Sequence, residues 1–158
     1  MANEVIMKNT DTVIGKMGSC YITIDGNRYN FLQAKDIEAT IEKTKQKVEK
    51  MGNIMVGHRT TAGEGKGSAK FHYNTSIFRE MVLKYVNSGE DVYFDMQITN
   101  DDPTSNTGRQ TVILKDCNMD SVLLAKIVSD DSLLEDTFDF TFDSASMPES
   151  FNSIDGMV

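Results

Sequence analysis

The sequence predicts a mainly β domain of the α+β class, with two packed antiparallel sheets (a sandwich or partly rolled barrel) and one flanking α-helix at about 76–88. Three observations predict it. Apolar and polar residues alternate with period two in several short stretches, most strictly over 134–144. Only one segment carries an unambiguous helical stripe, and glycine, asparagine and aspartate mark the breaks between the others. The length of 158 residues suits one domain able to bury a single core, and no repeat of 20–50 residues divides it.

The elements follow in order. Residues 1–18 lack a sustained period and contain Gly15 and Gly18, which predicts an N-terminal arm. SCYITID (19–25) alternates as a strand, Asp25-Gly26 is a hairpin signal, and 28–33 returns as its partner. The stretch 34–51 fits a helical stripe (Ile37, Ile41, Val48, Met51) as well as strand alternation (Ile37, Ala39, Ile41), and the pattern alone favours helix. In the predicted helix, Ile77, Met81 and Tyr85 recur four apart, with Phe78 and Val82 widening the apolar face. Ser76 is its expected N-cap and Asn87-Ser88-Gly89 its end. Strands are then expected at 92–98, 110–117, 121–128 and 134–144, with 101–108 (DDPTSNTG) a loop. In the last strand Phe138, Phe140 and Phe142 share one face, opposite Glu135, Thr137, Asp139, Thr141 and Asp143.

The run GEGKGSAKFHYNTS (63–76) raises the question of a phosphate site. A P-loop needs Gly, four residues, then Gly-Lys and a Ser or Thr. Here Gly65-Lys66 is followed by Gly67, and the position five before Gly65 is Thr60. The dinucleotide fingerprint fails too, because its third glycine would fall on Ser68 or Lys70. Both motifs also lead into a helix, whereas residues 68–74 alternate as a strand. The run is expected to be a turn entering a strand. Elsewhere, the two histidines, His58 in a polar loop and His72 on a strand surface, belong to no catalytic motif. Asp101-Asp102 and Asp130-Asp131 lack ordered ligand spacing, so no enzyme, cofactor or metal site is expected.

No apolar run approaches the ~18 residues of a membrane span, and Met-Ala-Asn-Glu-Val-Ile-Met-Lys has no secretory pattern. Cys20 and Cys117, only two and far apart, suggest a reduced compartment rather than a disulfide. The net charge is −8, and it is unevenly placed. All 16 basic residues lie between Lys8 and Lys126, while the last thirty residues hold eight acids and no Lys or Arg. A surface so composed disfavours nucleic-acid binding, which needs Lys and Arg to displace counterions from phosphates.

Ile14-Gly15-Lys16 with Gly18, the strand ending in Asp25-Gly26, and LQAK (32–35) together resemble the tail tube proteins of contractile-tailed bacteriophages. Gly65-Lys66-Gly67-Ser68 leading to Tyr73, Ser76 and the helix belongs to the same resemblance. So do Asp102-Pro103 with Gly108, and the final Phe-x-Phe strand. The order and spacing are similar to the PBSX-like prophage tube family over about residues 12–145, leaving 1–11 and the tail after Met147 uncovered.

The resemblance implies hexameric rings whose sheets join into an inner β-barrel, stacked as a tube inside a contractile sheath. It implies sheath, baseplate or initiator, and tape-measure partners, with double-stranded DNA in transit only. It also implies a virion-tail location after assembly in the host cytoplasm, without membrane binding. It shifts 34–42 from helix to strand, leaving an extended loop at about 43–67 that contacts a neighbouring ring. That loop carries Lys43, Lys45, Lys47, Lys50, Gly63, Gly65 and Gly67. Glu135, Asp139 and Asp143 become candidates to line an acidic channel, and about 146–158 is a C-terminal tail. Two other readings remain at this stage: a monomeric β-sandwich module binding a small ligand at 101–108, and a tube-like cap, baseplate or secretion-system ring protein.

Overall fold

Eight antiparallel strands and one helix make up the computed structural model, which describes residues 6–157. The strands are β1 (Gly18–Ile24), β2 (Asn27–Asn30), β3 (Ala34–Val48), β4 (Gly57–His72), β5 (Phe94–Asp101), β6 (Arg109–Val122), β7 (Glu135–Phe142) and β8 (Ser144–Glu149). The helix α1 spans Ile77–Ser88. Hydrogen bonding runs in one order, β2-β1-β5-β6-β7-β4-β3, with β8 also on β6. The mainly β class with one helix holds, and the strands form one hydrogen-bonded path.

The chain folds into two units. One comprises residues up to Leu32, Phe94–Lys115 and the segment from Ala145. In it, β1 and β5 set Cys20 opposite Ile98, Ile22 opposite Met96 and Ile24 opposite Phe94. Cys20, Ile22, Ile24, Met96 and Phe94 are buried there with Phe31 and Leu114. Asp25 (φ 50°) and Gly26 (φ 80°) both adopt positive φ, as the tight β1–β2 hairpin requires. Cys20 and Cys117 are buried thiols, and burial pushes the Cys20 thiol up to about 12. The first five residues of the expected N-terminal arm, and Val158, lie outside the described residues.

The other unit holds Gln33–Tyr93 and Asp116–Ser144. Here the long hairpin β3–β4 pairs through β4 with β7. Residues 43–48 and 57–67, expected as loop, are strand, and only 49–56 separate β3 from β4. Lys43, Lys45 and Lys47 continue the alternation of Ile37, Ala39 and Ile41, so a polar sequence keeps the pleat because its partner supplies the backbone bonds. His58 accordingly lies in β4, opposite Lys47, and not in a loop. The glycine run is strand as well, not the turn its composition suggests.

The reason is close approach. Gly65 faces Phe142, Gly67 faces Phe140 and Ala69 faces Phe138 across β4 and β7. A Cβ on Gly65 would lie 2.5 Å from the Phe142 ring. One on Gly67 would lie 2.3 Å from the Phe140 ring and 2.8 Å from the Glu38 carbonyl oxygen. Glycine is therefore required by the rings lying across it, not by a phosphate or a turn. The aromatic row continues through Phe138 to Phe78 on α1, with centroids 4.5 Å apart, and from Phe78 to Phe71 at 5.4 Å.

α1 buries Phe78 and Met81 against this row, but Tyr85, expected on the packed face, is exposed. Ser76 makes no side-chain cap, and the Ile77 N–H instead meets Thr75 Oγ1 at 3.4 Å. Gly89, at φ 77°, ends the helix as expected, its N–H donating to the Tyr85 carbonyl at 2.8 Å. The strands expected at 110–117 and 121–128 are replaced by one, β6, followed by a bridge without regular structure from 123 to 134. β6 runs on because its irregularities are absorbed locally. Asp116 takes φ 55°, and the pairing with β7 shifts register between Met119 and Ser121. Residues 144–149, partly assigned to a tail, form β8 on β6.

Gly67→Ala should lower stability by about 1–3 kcal/mol, the usual cost of overpacking a filled core. Gly63→Ala, whose Cβ would meet only the Glu42 carbonyl at 4.0 Å, should be nearly neutral in the same urea titration. Equal midpoints for the two variants would contradict the ring contact as the reason for glycine.

Candidate assembly surfaces

Among the described residues the order of pairing ends on β2 and β3, each bonded on one side only, and β8 bonds only to β6. All four β2 residues are exposed, as is β3 beyond Ile37. An unpaired strand edge presents a row of backbone donors and acceptors, which soluble proteins ordinarily shorten or cover. At 15 residues, β3 is far longer than a protected edge needs to be.

Beside that edge lies a polar face, built by the same register that buries the phenylalanines. Pairing aligns Asp36 with Lys70 and Thr137, Glu38 with Ser68 and Asp139, and Thr40 with Lys66 and Thr141. Glu42 sits opposite Glu64. The candidate Asp139 is exposed in the middle of this face, and Asp143 is exposed just past the end of β7. Glu135 differs from both. Lys35 donates a hydrogen bond to its Oε1, and Lys70 approaches its Oε2 at 4.0 Å. That hydrogen bond, helped by the charges of Lys35, Lys70 and His72, holds the Glu135 carboxyl below the ordinary glutamate range against its partial burial. Glu135 and Asp139 thus share one side of β7, and Asp143 follows past its end.

The distal hairpin has the opposite charge. Lys43, Lys45, Lys47 and Lys50 are exposed, and Lys43, Lys45 and Lys47 share the side of β3 whose nearer positions meet the core. Past them the turn presents Met51, Ile54, Met55 and Val56, with Met51 and Ile54 as open as in an extended chain. The glycines expected alongside these lysines divide: Gly65 and Gly67 sit under the Phe142 and Phe140 rings, while Gly63 sits beside β3 opposite Lys43.

The 101–108 loop is occupied by its own chain. Asp102 is 4% exposed, and its carboxylate accepts the backbone N–H groups of Ile14 (3.1 Å) and Thr104 (3.0 Å). The Asn106 N–H donates to the Thr10 carbonyl at 2.8 Å, and the Asn152 N–H to the Thr107 carbonyl at 2.7 Å. The loop thus fastens residues near both ends of the chain, leaving its polar groups engaged. Arg109 clasps Glu149 through two bonds of 2.6 and 2.7 Å, joining β6 to β8. Among the described residues no cluster of His, Cys, Asp or Glu is placed to hold a metal, and no helix is long and apolar enough to cross a membrane.

One pair escaped the sequence reading. Asp136, 1% exposed, meets Arg79 at 2.6 Å, and the Arg79 guanidinium lies 4.4 Å from the Tyr73 ring centre. Arg79 also donates to the Leu123 and Thr75 carbonyls, so it ties α1, β7 and the 123–134 bridge together. The signal was present: Asp136 has the same parity in β7 as Phe138, Phe140 and Phe142, and a charge at a core position demands a partner.

A family model described as phage tail tube protein matches residues 5–149. The chain belongs to the phage tail tube protein family. This tube protein is similar to the phage-like element PBSX protein XkdM of Bacillus subtilis (strain 168), with 37% identity over 146 residues, 92% of this chain and 97% of that one. Its fold is similar to a chain in the anti-feeding prophage baseplate, at TM-score 0.61 and 10% identity over 93% of this chain and 97% of that one. It is also similar to the SPP1 tail tube, at TM-score 0.62 and 8% identity over 86% of this chain and 78% of that one. At such identities these two likenesses speak for the fold alone.

For the tube protein's Glu135, a folded-state pKa below the unfolded value means that its stabilising contribution is complete above the unfolded pKa of ~4.3 and is lost as pH falls through the folded pKa. Carbon-detected NMR should find Glu135 titrating below the ordinary glutamate range, with Lys35→Met moving the midpoint upward. An unchanged midpoint in that variant would exclude Lys35 as the main cause.

Proposed function

We propose that the chain is the repeating subunit of a phage or phage-like tail tube, in which six copies close into a ring and rings stack into a hollow conduit for double-stranded DNA. The observation that carries this reading is the pair of unshared edges, β2 and the 15-residue β3, in a chain of the phage tail tube family. A ring removes both edges at once if β3 of one subunit bonds to an edge of the next, a head-to-tail contact that closes by rotation. Sheath, baseplate or initiator, and tape-measure proteins are its expected partners, in the virion tail after assembly in the host cytoplasm.

The polar side of β3, β4 and β7 is then the channel wall. Asp36, Glu38, Glu42, Glu64, Glu135 and Asp139 outnumber Lys35, Lys66 and Lys70 there, so each subunit offers a net negative surface. A basic wall would hold DNA by releasing its counterions, more tightly as salt falls. A carboxylate wall leaves the polymer hydrated and free to slide, and the ~8 Å Debye length at physiological salt limits repulsion around the ring. Asp139 and Asp143 carry this role more than Glu135, whose charge Lys35 already answers.

Purified protein should form rings or tubes visible by negative-stain electron microscopy. Replacing Glu135, Asp139 and Asp143 with Lys should leave assembly intact and slow DNA delivery in a complementation assay. Delivery at the wild-type rate by tubes carrying the three lysines would overturn the acidic channel.

A further inference from the structure

The 101–108 loop is built like a fastener. Asp102, Thr107 and, just past it, Thr111 are buried polar residues, and such groups stay in place only while their hydrogen bonds are made. Toward the N-terminus, Asp102 accepts from the Ile14 N–H, and the Asp101 N–H donates to the Met17 carbonyl at 2.8 Å. Asn106 takes the Thr10 carbonyl through its N–H, and its Nδ2 donates to Thr10 Oγ1 (2.8 Å) and an Asp11 carboxylate oxygen (3.0 Å).

Toward the C-terminus, β8 is weakly held along its length. None of its six side chains is buried, and Pro148 has no N–H to give. Its far end is anchored instead. Glu149 receives Arg109 and, at 3.1 Å, the Thr111 hydroxyl, and the Asn152 N–H reaches the Thr107 carbonyl. Gly108, at φ 77°, lies so close that a Cβ there would sit 3.0 Å from Asn152 Nδ2. Adjacent residues of one loop thus hold opposite ends of the chain, Asn106 the arm and Thr107 the strap. Thr107 is itself fixed within the loop, its Oγ1 2.7 Å from Ser105 Oγ.

We propose that this loop is a clasp through which the N-terminal arm (residues 8–17) and the C-terminal strap (residues 144–152) are held or released together, and that the closed clasp keeps β6 from pairing with a second copy. The coupling stands on the hydrogen bonds of one unit, whereas the guarding role rests on the tube reading. β6 is 14 residues long, and only its Asn118–Val122 end is paired with β7. The strap covers the Arg109 end and puts in its place a six-residue edge that contains a proline. Short strands and prolines are how sheet edges are kept from unwanted pairing. A subunit that must display β2 and β3 to its neighbours has reason to close a third, longer edge.

Asn152→Pro removes the donor to Thr107, and Arg109→Ala frees Glu149; neither residue bonds the arm. In the dilute full-length chain, hydrogen exchange read by mass spectrometry should quicken about threefold to tenfold over 8–17 in each variant, the worth of one lost hydrogen bond. Asn106→Ala, which loosens the arm alone, should quicken 144–152 by a similar factor, because coupling is reciprocal. Unchanged exchange at the far end, or a rise shared by β4 and β7, would overturn the clasp. The double variant Arg109→Ala, Asn152→Pro should give irregular aggregates in negative stain under conditions where the wild type gives tubes. Regular tubes from that variant would overturn the guarding of β6. Coupled ends in a wild-type chain that never forms rings or tubes would leave the clasp standing and overturn the tube reading, and the guard with it.

Discussion

The register between β4 and β7 governs the unit that holds the long hairpin, and the contact of phenylalanine rings with glycine backbone fixes it. Phe140 and Phe142 can lie flat across β4 only where β4 has no Cβ, at Gly67 and Gly65. Because side chains alternate with period two, a slip of one residue would turn the phenylalanines to solvent and the acids inward. The same alignment sets Asp139 against Ser68 and Glu38 on the polar side, and sends Lys43, Lys45 and Lys47 out along the apolar side once the core has ended. A motif that imitates a phosphate loop in composition is, in the fold, the ruler by which charges are placed.

That ruler separates charges that would otherwise cancel. The polar side of the sheet is acidic, and the hairpin arm is basic. Within one subunit the local pairs are modest: Lys35 and Lys70 at Glu135, or Lys66 between Glu42 and Glu64 at 4.0 and 3.7 Å, are exposed bridges of the sort that contribute little to stability. The buried ionic contact, Arg79 with Asp136, does different work by fastening α1 to β7, which keeps Phe78 on the aromatic row.

Much of the fold was legible because strict alternation survives wherever a strand has one wet side. β1 with its Asp-Gly turn, β7, and the limits of α1 follow from local pattern. The hairpin was not legible, because Lys43 to Lys47 and the glycine run carry no apolar alternation and are held as strand by pairing alone. β6 was divided after Cys117, at Asn118 to Asp120, polar positions that a register shift between Met119 and Ser121 accommodates. Tyr85 was assigned to the core from helical spacing, yet it is exposed while Phe78 and Met81 on the same helix are buried. The family was legible in the order of short motifs. The partial neutralisation of Glu135 was not, since it depends on Lys35 reaching it from a strand a hundred residues away.

The most direct test is a side-chain-resolution reconstruction of the assembled polymer by electron cryo-microscopy. The account predicts a ring in which β3 bonds to a strand edge of the next subunit, with Asp139 on the channel wall and Phe140 facing away from it. A polymer in which the β3 edge stays unbonded, or in which Asp139 lies on the outer surface, would contradict it.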